Sequence, residues 1–130
     1  MAYIMNIKIR YYCYYWLPVF LYMGLIFYMS SLSHIPSIES KIVSGWVGSN
    51  YLKHALEYFI LGILLIRASK KSNLKNPLWF SLLTLSIYAL SDEFHQIFVP
   101  GREFEIFDWF FDFIGGTAGV SLRRAIEKFI

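Results

Sequence analysis

The chain has 130 residues, of which 57% are hydrophobic and 20% aromatic, and its formal net charge is only +3. A composition so apolar exceeds what a soluble domain of this length can bury, so it points to a membrane protein of one domain, residues 1–130. The basic residues stand in short clusters between apolar runs, which suits anionic headgroups and not nucleic acid, and the single cysteine, Cys13, excludes an intrachain disulfide.

Four apolar runs predict an all-α bundle of four transmembrane helices. Each run is close to the ~20 residues that cross a ~30 Å hydrocarbon core. The first, Tyr11 to Ser31, follows Lys8 and Arg10 and is longer than the apolar part of a cleaved leader, so it reads as a retained signal anchor. Pro18 lies inside it and predicts a kink. A long loop, Leu32 to Asn50, follows. Within it, Ser37 can cap a short helix carrying Ile38, Ile42, Val43, Trp46 and Val47 on one side, resting on the membrane surface or folding over the bundle. The second run is Tyr51 to Ala68 and the third Pro77 to Gln96, with Pro77 suited to a first helical turn. Pro100-Gly101 then predicts a type II turn that presents Arg102, and the fourth run is Ile106 to Ala125.

Lysine and arginine orient the bundle. Nine fall at the ends and connection that share one side (Lys8, Arg10, Arg67, Lys70, Lys71, Lys75, Arg123, Arg124 and Lys128). Three fall on the other (Lys41, Lys53 and Arg102). The positive-inside rule puts both termini in the cytoplasm of a multi-pass plasma-membrane protein. Tyr11, Tyr12, Tyr14, Tyr15 and Trp16 then form an aromatic belt at the cytoplasmic interface.

The opposite end collects seven of the nine acidic residues, with His34 nearby. On the second helix, His54 is i,i+3 from Glu57 and i,i+4 from Tyr58, while Lys53 is i,i+4 from Glu57. On the third, Asp92 is i,i+3 from His95 and i,i+4 from Gln96, with Glu93 beside it. On the fourth, Asp108 and Asp112 are i,i+4, and Gly115 and Gly119 follow at a spacing that lets another helix approach closely. Arg102 stands above the carboxylates, as an ion-pair partner for Asp108 or Asp92 or as a fork for a phosphate or carboxylate ligand. Ionisable side chains in apolar segments are costly and mark functional sites by default.

Three readings of this constellation stay open. The histidine–carboxylate pairs can perform general acid/base chemistry on a lipid headgroup or lipid-linked intermediate. The donors also suffice for a divalent metal, but their spacing matches no established metal motif, so no cofactor is assigned. Finally, the network can zip the helices together or bind a ligand without reaction.

At these residues the chain resembles the VanZ-like family. The likeness rests on Tyr51-Leu52-Lys53-His54-Ala55-Leu56-Glu57-Tyr58 and on Ser91-Asp92-Glu93-Phe94-His95-Gln96-Ile97-Phe98-Val99-Pro100-Gly101-Arg102. It continues through Asp108, Asp112 and Gly115-Gly116-Thr117-Ala118-Gly119. The resemblance implies a small four-helix domain of the bacterial cell membrane, associated with teicoplanin and glycopeptide resistance, and it supplies no settled reaction. The expected candidate catalytic residues are His54, Glu57, Asp92, Glu93, His95, Asp108 and Asp112. Lys53, Tyr58, Gln96 and Arg102 are the expected ligand-binding residues. The expected partners are membrane lipids or a lipid-linked envelope precursor, either modified by an enzyme or, alternatively, presented differently by a non-catalytic binding or helper protein.

Overall fold

A computed structural model describes residues 2–32 and 50–129, with the side chains of 9–32 and 51–129. Among them are four helices: α1 (Ala2–Ser31), α2 (Asn50–Lys71), α3 (Pro77–Gln96) and α4 (Ile106–Phe129). The short helix expected near Ser37, with His34 and Lys41, lies outside the described residues.

Local signals explain the helix ends. Pro77 occupies the first turn of α3, where its missing N–H is not needed. After α3, the Arg102 N–H donates to the Val99 carbonyl at 3.1 Å and Gly101 takes φ +80°, the signature of the expected type II turn. α1 runs through Pro18 as one continuous helix, so the proline does not divide it. It also starts at Ala2, well before the apolar run.

Successive helices run up and down. At one end the Ser31 hydroxyl meets His95, and Tyr51 at the start of α2 meets Glu105 just before α4. At the other end the Trp16 indole N–H donates to the Ser72 hydroxyl at 2.7 Å, and Lys70 pairs with Glu127. Arg67 sits over the rings of Tyr14 and Tyr15, 4.9 and 4.8 Å from their centroids, so the aromatic belt also grips a cation of α2.

The closest pairing is between α2 and α4. A Cβ added to Gly115 would lie 2.0 Å from the Ala55 carbonyl oxygen, and one at Gly119 would lie 2.0 Å from that of Phe59. A Cβ at Gly62 would meet the Gly116 carbonyl oxygen at 2.1 Å. The small-residue spacing of α4 thus brings its backbone onto that of α2. Among the described residues, α1 packs on α2 and α3 but not on α4. Val19, Ile26, Tyr58, Leu61, Leu65, Leu85 and Val120 fill the interior between the helices.

Each helix turns apolar side chains outward. On α3, Trp79, Leu83, Ile87, Leu90 and Phe94 form an exposed stripe, while Ser81, Asp92, Glu93 and Gln96 are buried with Leu85 and Ala89. On α4, Phe107, Phe110, Ile114, Leu122 and Ile126 face out, while Asp108 and Asp112 are buried. This inverts the pattern of a surface helix in a water-soluble protein. By length and average hydropathy, one segment among the described residues, Ile9–Ser31 of mean hydropathy 1.3, is apolar enough to cross a membrane. The other helices carry the acidic and basic residues inside or at their ends, which lowers the average without altering the apolar outer face.

Candidate functional site

The polar end of the bundle is built on His54. Its Nδ1 lies 3.0 Å from Asp112 Oδ1 and its Nε2 lies 3.5 Å from Asp108 Oδ2. The two aspartates stand one helical turn apart on α4, so they bracket a ring projected from the neighbouring α2. The close backbone approach at Gly115, one turn further on, is what brings the imidazole within reach. Asp112 is 0% exposed, Asp108 2% and His54 4%.

Behind this trio lies Glu93, also fully buried. Its Oε2 accepts the Glu105 backbone N–H at 3.2 Å, tying α3 to the chain that leads into α4. The Gln96 amide reaches Glu93 Oε1 and Asp92 Oδ2, each at 3.5 Å. Tyr58, expected among the ligand-binding residues, is instead fully buried below the trio, its ring centroid 6.1 Å from that of Tyr88.

A narrow cleft opens beside His54. Its walls are Lys53, His54 and Glu57 of α2, Asp92 and Gln96 of α3, Arg102 of the turn, and Met29 and Ser30 of α1. Its volume is about 10 Å³, the size of a single water site. Glu57 makes no hydrogen bond among the described residues, and its carboxylate forms part of the cleft wall beside Lys53. Arg102 donates from Nε to the Leu32 carbonyl at 3.3 Å, and among the described residues it has no ion pair with Asp92 or Asp108. The expectation of an ion pair there gives way to a backbone contact that holds the guanidinium at the mouth.

The structure therefore brings Lys53, His54, Glu57, Asp92, Gln96 and Arg102 to one cleft, with Asp108, Asp112 and Glu93 joined through His54 and Gln96. His95 is elsewhere. Its Nε2 bonds the Ser31 hydroxyl at 2.9 Å and its ring lies over Phe27 at 4.3 Å, so it faces α1 and fastens that helix. The sequence reading missed the contribution of α1 to the cleft. Ser30 and Met29 look like ordinary members of an apolar run, and only the terminal Ser-Ser pair hints at a polar neighbour.

His54, Glu93 and Asp112 each offer a ligand atom within 4.8 Å of the others, which suits a divalent cation in donor type and burial. Without one, the same imidazole can carry a proton between two carboxylates, since each ring nitrogen already faces an oxygen.

Residues 15–127 match the VanZ/LLP1 family. The chain belongs to this family. Its membership and the apolar Ile9–Ser31 helix point to a membrane protein. No match was found among curated proteins or among solved structures.

Proposed function

We propose that this VanZ/LLP1 protein crosses the membrane four times, with both termini cytoplasmic, and uses its polar cleft at the outer leaflet on cell-envelope material. The substrate is a lipid headgroup or a lipid-linked envelope precursor, and the setting is the glycopeptide resistance that the family name suggests. Support for the four spans comes from the apolar side chains that the helices turn outward and from the burial of Asp92, Glu93, Asp108 and Asp112. Support for the orientation comes from the nine-to-three division of lysine and arginine.

The observation that carries the chemical reading is the contrast between His54 and Glu57. His54 is held at both ring nitrogens by carboxylates, so it serves as a fixed, proton-bearing centre. Glu57, one turn away, lines the cleft and has no hydrogen-bond partner among the described residues, which suits a general base. Lys53 and Arg102 flank it and supply the positive charge that an anionic headgroup or phosphate requires.

The test compares envelope lipids and peptidoglycan precursors by mass spectrometry in cells carrying the protein, its Glu57→Gln variant at equal abundance, or neither. A lipid or precursor species altered by the protein and restored by Glu57→Gln supports chemistry. Unchanged species, with Glu57→Gln losing ligand retention and cellular effect in parallel, would favour a non-catalytic binding role.

A further inference from the structure

A second cavity, of about 300 Å³, lies between α1 and α2. Tyr22 forms its α1 wall, and Leu52, Leu56 and Ile60 form its α2 wall at successive turns. From Leu52 to Ile60 it follows α2 for about 12 Å, at 1.5 Å per residue. It opens sideways, because Leu56 is 56% and Ile60 46% exposed. Its remaining walls are Lys53 and Glu57, which also line the polar cleft. An apolar lateral groove and a polar cleft are thus the two faces of one wall.

We propose that this groove seats a hydrocarbon chain of an anionic membrane lipid whose phosphate rests at Lys53 and Arg102, at the mouth of the cleft. The inference rests on the reading of the chain as a membrane-spanning protein acting on lipid-borne material, and it specifies how that material enters. Three features select this occupant. Tyr22, Leu52, Leu56 and Ile60 make the groove apolar on its outer side, and Lys53 and Glu57 make it charged on the side it shares with the cleft, which matches an amphiphile. The cleft mouth beside it carries two cations, Lys53 and the guanidinium that Leu32 holds in place, together with the carboxylates of Glu57 and Asp92, so a phosphate is received at the two cations. The cleft is too small to take a whole headgroup with its chain, so a lipid reaching it must leave its chain outside, and the adjoining groove is where that chain fits. The lipid enters from the bilayer side between α1 and α2. It need not pass between α2 and α4, whose backbones are in contact.

The experiment uses the full chain in vesicles of phosphatidylglycerol and phosphatidylcholine, with trace phosphatidylglycerol or phosphatidylcholine bearing a diazirine on one acyl chain. Adducts are mapped by peptide mass spectrometry. Phosphatidylglycerol adducts are expected to concentrate on Tyr22, Leu56 and Ile60, several-fold above the outward stripe of α3. Leu56→Trp, which fills the groove at an exposed position, should reduce them several-fold. Leu83→Trp on α3 should leave them unchanged. Lys53→Gln should abolish the preference over phosphatidylcholine. Adducts spread evenly over the stripes of α3 and α4, indifferent to Leu56→Trp, would overturn the proposal. The outcome is separable from the proposed function. Specific groove adducts with no altered envelope species in cells would retain the lipid seat and discard the chemistry. An altered species without groove adducts would do the reverse.

Discussion

His54 Nδ1 stands 3.0 Å from Asp112 Oδ1 at a point where Asp112 has no solvent exposure. Removing the ring strands Asp112 and weakens the setting of Asp108. Breaking one partner out of a buried pair costs about 3–5 kcal/mol, since the remaining charge is left uncompensated. His54→Ala should therefore lower the melting temperature of the detergent-extracted protein markedly. Asp112→Asn, which keeps volume and a hydrogen-bonding oxygen, should lower it less. Equal melting temperatures for His54→Ala and the parent would show that the pair contributes no stability.

Glu57 makes the contrasting case. It lines the cleft and has no hydrogen-bond partner among the described residues, so Glu57→Gln should change stability by no more than about 0.5 kcal/mol, as for groups outside packed networks. The cellular effect should nonetheless disappear. Melting temperature, membrane abundance and phenotype measured together decide it, and loss of effect in step with loss of fold would reduce Glu57 to a structural residue.

Gly115 and Gly119 contrast with Gly24 in what an added methyl would meet. Adding a methyl at Gly115 or Gly119 drives it into a backbone carbonyl of α2, which no side-chain rotation relieves. Gly115→Ala and Gly119→Ala should each cost about 1–3 kcal/mol as overpacking. Gly24 of α1 has nothing within 4 Å of an added Cβ, so Gly24→Ala should gain up to about 1 kcal/mol from helix propensity. Thermal melts of the three variants provide the comparison, and a destabilising Gly24→Ala would break it.

At the basic end, beyond the predicted span of α4, Glu127 accepts from Lys70 and from Arg123 Nε, the latter at 3.0 Å. Partial burial pushes its carboxyl upward, but the hydrogen bonds and charges of Lys70 and Arg123 outweigh it and hold the group below the ordinary carboxylate range. A depressed carboxyl contributes its stability above the unfolded pKa and loses it as pH falls through the folded one. The tie is thus intact at neutral pH and is lost only in acid, as pH falls through the depressed value. Being partly exposed, it is worth about 0.2–1 kcal/mol. Glu127→Gln should lower stability by that amount at pH 7 and converge with the parent in acid, as read from melts across pH.

The orientation is checked by single cysteines in a Cys13→Ser background. A cysteine replacing Glu103 should react with an impermeant thiol reagent in intact cells, and one replacing Lys75 should react only after permeabilisation. The opposite pattern would turn the polar cleft inward.

Much of the helical plan was legible because long apolar runs leave few alternatives. α2, α3 and α4 begin at Asn50, Pro77 and Ile106, each within a residue of the expected start. The ends were less legible. α1 begins at Ala2 and α4 continues to Phe129, since helix persists past the apolar run where nothing breaks it and where Glu127 finds Lys70 and Arg123. Helical phase put Lys53, His54, Glu57 and Tyr58 on one side of α2, of which the first three line the cleft and Tyr58 is buried, and it paired Asp108 with Asp112. It could not say which helix each face would meet. His95 shares a turn with Asp92 but bonds Ser31, and Arg102 finds a main-chain carbonyl in place of a carboxylate. Those partners depend on where α1 docks, and α1 carries no periodic polar signal that announces its position.

The seam between α2 and α4 also has a consequence for how the sequence can change. On the α2 side, the contacts with Gly115 and Gly119 are made by the peptide groups of Ala55 and Phe59. Every amino acid supplies the same peptide group, whereas on the α4 side only a hydrogen fits. Variation at these two crossings is therefore one-sided, while at Gly62, which meets the Gly116 carbonyl, the roles of the two helices are exchanged. Randomising positions 55 and 115 together should return a broad alphabet at the first and a single letter at the second.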